Sequence, residues 1–237
     1  MGQMTDLEQA VLLISAFVHD TDHPGFNNPF MVASWDSLAL RYNDRSVLEN
    51  HHIAQAFSTM LNDPETCIYE RFSNEEFKIM RTEMIDLVLA TDMSFHFKDQ
   101  AEYKERLVST AFDPTKGSEK KRTMNMIIHL SDISNPGKPW HLCFKWIDLL
   151  FIEFFNQGDK EKQLSLPVSY LMDWHTTNIA KEQSGFIENL IKPAFNVLST
   201  ILPKTKVFVD QMNHNKERWK ELETAYEIIL NQSNKKR

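Results

Sequence analysis

His19 and Asp20 close the apolar run Val11-Leu12-Leu13-Ile14-Ser15-Ala16-Phe17-Val18, and Asp22 and His23 follow before Pro24-Gly25. An imidazole beside a carboxylate on the end of a buried helix carries a desolvation cost that some partner must offset. A divalent metal ion offsets it, and such an ion can generate hydroxide at neutral pH. A polar helix end before a Pro-Gly turn is the plainer explanation of one His-Asp pair. It weakens here because four more polar clusters follow. They are Asn43-Asp44 with Glu49, His51 and His52; Ala90-Thr91-Asp92-Met93; His129 with Asp132, then Ser134-Asn135-Pro136; and Glu182-Gln183-Ser184-Gly185-Phe186-Ile187.

Mixed His and Asp donors without a thiolate suit zinc together with a harder ion such as magnesium or manganese. Two carboxylates from distant helices could bridge two metals ~4 Å apart and hold hydroxide for attack on phosphorus. Phosphate-ester hydrolysis is slow unaided, so clustered metals would suit it. Spacing alone leaves alternatives open. Glu49 also completes a capping-box pattern with Ser46. His51 and His52 are adjacent and point to different sides of a helix, so at most one is expected to face a site. His96, His141, His175 and His214 have no evident partner in the sequence.

The elements that must position these groups read as helices throughout. Thr5 or Asp6 caps a first helix reaching about residue 22, where Pro24 stops it. Ser46 opens a second toward Met60. Ser73-Asn74-Glu75-Glu76 opens a third, with Phe77, Met80, Met84 and Val88 as its apolar stripe. Further helices are expected over about 101–112, through Met124 to Asp132, and from Pro139 to a C-cap at Gly158. Another is expected from about 173 through Gln183 and Phe186, divided by Pro193, and a last one over about 207–230 before a polar tail at 231–237. No strand alternation, internal repeat or linker interrupts the pattern. The expected fold class is all-α, a compact multi-helix domain over 1–230.

The 237 residues are 42% hydrophobic and 25% charged, enough for a sizeable core. Their net charge of −7 argues against a nucleic-acid-binding surface, and the basic end Lys235-Lys236-Arg237 is too short to alter that. Cys67 and Cys143 read as reduced thiols rather than a disulfide framework. No apolar run approaches the ~20 residues of a membrane span. The first residues lack a signal peptide, and Asp6 breaks the myristoylation pattern begun by Gly2. A cytoplasmic location is the default, with peripheral membrane association left open.

The stretch His19-Asp20-Thr21-Asp22-His23-Pro24-Gly25-Phe26-Asn27-Asn28 resembles the signature of the class I 3′,5′-cyclic nucleotide phosphodiesterases. So do Tyr42 through His52, Ala90-Thr91-Asp92-Met93-Ser94, Asp132-Ile133-Ser134-Asn135-Pro136, Phe154-Phe155-Asn156-Gln157-Gly158-Asp159 and Gln183-Ser184-Gly185-Phe186-Ile187. The match runs over nearly the whole chain, in the family's order. Tyr42–His52, His96-Phe97 and Gly158–Glu161 are most similar to the calmodulin-stimulated branch, and Asn135-Pro136 to the cAMP-specific branch.

This resemblance implies a phosphodiesterase/HD-type helical fold and metal-dependent hydrolysis of cAMP, cGMP or both to 5′-monophosphates. It implies His19, Asp20 and Asp132 as ligands of a zinc ion, with Asp20 also reaching magnesium or manganese. His23, Glu49, His52 and Thr91 would orient the site, with Asp92 lining it. Gln183 would bond the purine edge, Phe186 and Leu150 would clamp the base, and Met93, Phe154 and Asn135 would line the pocket. The family also carries an upstream His-Asn-x-x-His-Ala motif, source of the general acid and a further zinc ligand. It does not occur in this sequence, so the expectation is a catalytic unit truncated at its N-terminus. The alternative function is a catalytically impaired fragment that binds a nucleotide or a partner. Homodimerisation, and regulatory domains outside this segment, stay open.

Overall fold

Thr5 and Glu8 start the first helix by exchanging hydrogen bonds. The Thr5 hydroxyl accepts from the Glu8 N–H at 3.2 Å, and the Glu8 carboxylate accepts from the Thr5 N–H at 2.7 Å. Helix α1 (Asp6–Val18) ends sooner than the expected residue 22. Beyond Val18 tight turns replace the helical ladder, the Thr21 N–H donating to the Val18 carbonyl and the His23 N–H to the Asp20 carbonyl, and Asp22 then adopts a φ of 61° ahead of the next helix. The computed structural model describes residues 4–62, 64–70, 72–109 and 112–234, with side chains of the last stretch described as far as residue 225. The chain folds as two compact helical units, which divide after Asp132.

In the first unit, α2 (Asn28–Ala33) and α3 (Ser37–Tyr42) are short and lead into α4 (Val47–Asn62). α5 (Asn74–Leu89) follows, then a tight turn at Met93–Phe95, α6 (His96–Leu107) and α7 (Gly117–Asp132). The expected capping box at Ser73 and Glu76 is formed. The one expected at Ser46 is not. Ser46 has a φ of 41°, and its hydroxyl donates to Asp92 at 2.7 Å. The side-chain oxygen of Asn28 takes over that end of α4, accepting from the Leu48 N–H at 2.9 Å. α6 starts at His96 rather than near residue 101, because Asp92 caps the preceding turn by accepting from the Ser94 N–H at 2.9 Å. Val11 of α1, Ile53 and Phe57 of α4, Met80, Met84 and Val88 of α5, and Met124 and Ile128 of α7 form one core. Burying such side chains stabilises the unit by roughly 1.5–3 kcal/mol each, and it fixes where α1 and α7 end.

The second unit opens with a tight turn at Asn135–Gly137 and α8 (Trp140–Gln163). α9 (Ile179–Phe186), a π-helical turn (Ile187–Ile191), α10 (Lys192–Ile201) and α11 (Lys206–Asn234) complete it. α11 packs on α9, α10 and the 135–137 turn. Cys143, Ile147, Phe151, Ile187, Ile191, Phe195, Leu198, Met212 and Trp219 are buried. Gly158 does not cap α8 but lies inside it. A Cβ there would stand 1.8 Å from the Met172 carbonyl oxygen, so a glycine is what lets that loop approach. α9 begins at Ile179, capped by Asn178, while Asp173 holds a loop turn instead. Pro193 has no N–H to give the preceding turn, and the chain meets it with the wider π-helical turn. α11 extends to Asn234, so the expected tail is helical at 231–234, and 235–237 lie outside the described residues. Both cysteines are free thiols. No helix among the described residues is long and apolar enough to cross a membrane.

Candidate functional site

The ends of α1 and α7 bring three of the expected residues together. His19, Asp20 and Asp132 each offer a ligand atom, all within 4.8 Å of one another. Nε2 of His19 stands 3.1 Å from Oδ1 of Asp132 and 3.4 Å from Oδ2 of Asp20. Its other nitrogen, Nδ1, donates to the Ala16 carbonyl at 2.8 Å. That bond fixes the ring and aims Nε2 at the carboxylates, as the outer hydrogen bond of a metal-ligating histidine does. The donor set of one imidazole and two carboxylates, without sulfur, therefore fits zinc and harder divalent ions. Without a metal the Asp132 carboxylate bonded to His19 pushes the imidazole up to about 9, against the opposing effect of burial. A proton then holds the place a cation would take.

Around this group the other expected residues of the first unit have separate tasks. Nδ1 of His52 donates to the Thr21 carbonyl at 2.8 Å, and Nε2 stands 3.8 Å from Asp20. Burial holds His52 below the usual histidine range, so its bare Nε2 can accept a hydrogen bond. His23 accepts the Gly25 N–H on Nδ1 at 3.0 Å, leaving Nε2 as its donor, and stacks on His52 with centroids 5.4 Å apart. His51 bonds Asp22 at 2.8 Å and so turns away from the Asp20 side. Burial raises Glu49, and the Asn28 amide, donating at 2.9 and 3.2 Å, partly offsets this. Asp92 and Asp20 also raise it through their charge. Asp92 is buried with both oxygens engaged, by Ser94 and Ser46. Thr91 donates its hydroxyl to the Val88 carbonyl. Met93 follows Asp92 and is exposed.

Two residues were missed in the sequence. Asn28 both caps α4 and holds Glu49, and only its place in the Phe26-Asn27-Asn28 run could have pointed to it. His96, expected to lack a partner, is buried against His129, with Nδ1 2.8 Å from Nε2.

The remaining candidates lie in the second unit. Gln183 is buried in α9, and its Oε1 has no hydrogen-bond partner among the described residues. Phe186, one turn later, is half-buried, as are Leu150 and Phe154 of α8. Asn135 sits in the turn before α8 and accepts from Lys138 at 2.8 Å.

Comparisons with known proteins bear on this geometry. The family model described as 3′5′-cyclic nucleotide phosphodiesterase matches residues 1–212. The dual specificity calcium/calmodulin-dependent 3′,5′-cyclic nucleotide phosphodiesterase 1B of Mus musculus is 38% identical over 202 residues, covering 85% of this chain and 37% of that protein. The 1C enzyme of Homo sapiens is 38% identical over 201 residues, covering 85% of this chain and 28% of that protein. The probable 3′,5′-cyclic phosphodiesterase pde-1 of Caenorhabditis elegans is 40% identical over 203 residues, covering 86% and 30%. The chain thus spans 28% to 37% of the length of these curated relatives. The crystal structure of the phosphodiesterase domain of Salpingoeca rosetta rhodopsin phosphodiesterase superposes with a TM-score of 0.91 at 31% identity, over 97% of this chain and 70% of that one.

Proposed function

The chain belongs to the 3′,5′-cyclic nucleotide phosphodiesterase family, and from that premise we propose that it hydrolyses cAMP and cGMP to their 5′-monophosphates. The observation that carries this reading is the convergence of the adjacent pair His19-Asp20 with Asp132, remote in the sequence, on one cation-sized space. We assign zinc to that group, with magnesium or manganese reached through Asp20. When bound, such ions supply Lewis acidity to phosphoryl oxygens and acidify water.

The chain's own residues do the rest. His19 is held in its ligating orientation by the Ala16 carbonyl. His52, neutral and fixed through Nδ1, offers Nε2 as an acceptor beside Asp20. His23, which accepts from Gly25 on Nδ1, stacks beside it with Nε2 as its donor. Glu49, steadied by Asn28, adds a carboxylate that can accept a proton from an incoming water. Asp92 keeps its turn in place through Ser46 and Ser94.

In the second unit, Gln183 has an amide that offers both a donor and an acceptor, so it can meet the edge of adenine or guanine. Its buried, unpartnered Oε1 supports that role. Phe186 and Leu150 are assigned to the faces of the base, and Phe154 and Asn135 to the pocket wall. The relatives named dual specificity are the reason for proposing both nucleotides. The cytoplasm is the proposed location.

The test is turnover of cAMP, cGMP and the corresponding linear nucleotides by the purified chain with zinc and magnesium. The reading expects both cyclic nucleotides to be cleaved and the linear ones spared. Preference for a linear nucleotide would contradict it.

A further inference from the structure

Two histidines that none of these roles uses join the turn bearing Asp92 to the helix bearing Asp132. His96 is the first residue of α6, directly after the Met93–Phe95 turn. His129 lies in the last turn of α7, one turn before Asp132. Both are buried, their centroids are 5.1 Å apart, and Nδ1 of His96 is 2.8 Å from Nε2 of His129. On the other flank of Asp92, Ala90 closes α5, and its carbonyl is a second polar neighbour of His129. Nδ1 of His129 makes no hydrogen bond among the described residues, so it is the nitrogen left to face that carbonyl.

These contacts favour one proton arrangement. Burial holds His129 below the usual histidine range, which favours a neutral ring. A neutral ring donates from one nitrogen and accepts on the other. With Nδ1–H toward the Ala90 carbonyl, Nε2 accepts from the His96 Nδ1–H. One imidazole on α7 thus meets both ends of the segment that carries Asp92. A hydrogen bond between buried groups is directional and expensive to leave unmade. The pair therefore resists sliding of the Asp92 turn along the end of α7.

We propose that His129 and His96 are positioning residues that set the Asp92 turn against the Asp132 end of α7 and thereby tune the affinity of the metal site. This rests on the metal reading given above. Groups that orient a metal site without touching the ion typically change affinity by roughly 10–100-fold when removed.

The experiment measures zinc affinity of the full chain by chelator competition, beside the urea midpoint of the metal-free protein. His96→Leu and His129→Leu should weaken zinc binding roughly 10–100-fold in the folded protein. His96→Asn, whose amide N–H stands where Nδ1 does, should recover most of the loss. A lowered urea midpoint with zinc affinity within about twofold of the parent in folded His96→Leu, on the scale of that expectation, would overturn the proposal in favour of a purely structural pair. Asp132→Ala separates the two readings. If it leaves zinc affinity intact, the metal reading fails. If it abolishes affinity while the folded histidine variants stay within about twofold of the parent, only the positioning role fails. Should the leucine variants not fold, the imidazole ¹⁵N spectrum of the parent protein decides. It should show a neutral His129 and a His96 protonated on Nδ1, and a charged His129 or a His96 bare at Nδ1 would overturn the proposal.

Discussion

Metal binding at His19 should release a proton, and the pH dependence of zinc affinity should reveal it. In the metal-free protein the Asp132 carboxylate raises His19 from 6.5 to about 9. The side chains of His19 and Asp132 are only 21% and 27% exposed, so solvent screens the pair incompletely. At pH 7 roughly one molecule in 100 then has the bare Nε2 that a cation needs. Apparent zinc affinity should therefore rise about tenfold per pH unit from 6.5 to about 9 and level off above. The span between pH 7 and 9 corresponds to about 3 kcal/mol.

The sign for stability is opposite. The folded pKa lies above the unfolded one, so the His19–Asp132 pairing contributes fully below about 6.5. Its contribution fades as pH rises through about 9. The metal-free protein should lose stability over that window. Chelator competition at fixed ionic strength, corrected for the chelator's own protonation, measures the affinity, and calorimetry in buffers of different ionisation enthalpy counts the proton. Zinc affinity that is flat between pH 7 and 9, with no proton released, would mean that the metal displaces no proton from His19.

Asn28→Ala removes the cap of α4 and the donor to Glu49 together, so it should lower unfolding free energy by about 1–2 kcal/mol in a urea titration. Gly158→Ala forces a Cβ against the Met172 carbonyl. Its expected cost is about 1–3 kcal/mol or more, read as a lowered Tm. Gln183→Ala should raise KM for cAMP and cGMP roughly tenfold, as loss of a buried amide partner would. An unchanged KM would remove Gln183 from purine recognition.

Local sequence rules were enough for the elements whose ends are built from near neighbours. Thr5 with Glu8 and Ser73 with Glu76 form capping boxes because both partners lie within one turn. The stripe Met80, Met84 and Val88 marks the buried face of α5 for the same reason. The rule failed at Ser46, which satisfies the same pattern, because two partners remote in the chain compete there. Asp92 takes its hydroxyl and Asn28 takes its helix end. Gly158 was read as a terminator, yet its reason for being glycine is the Met172 carbonyl, a contact made by a loop that folds back.

The candidate site divides along the same line. His19 and Asp20 stand out because they are adjacent and polar beside an apolar run. Their meeting with Asp132 follows only from the packing of α1 against α7. The partnership of His96 with His129 has no signature in spacing at all. Gln183 and Phe186 were found by resemblance, and the burial of Gln183 is what structure adds.

If the His19, Asp20 and Asp132 group supports hydrolysis of a cyclic phosphodiester, the product must depend on it. The most direct measurement is ³¹P NMR of cAMP incubated with the zinc- and magnesium-loaded protein, beside its Asp132→Ala variant. The parent chain should convert the cyclic signal to 5′-AMP, without 3′-AMP, and the variant should leave it unchanged. Persistence of cAMP with folded, metal-loaded parent protein, or equal turnover by the variant, would contradict that role.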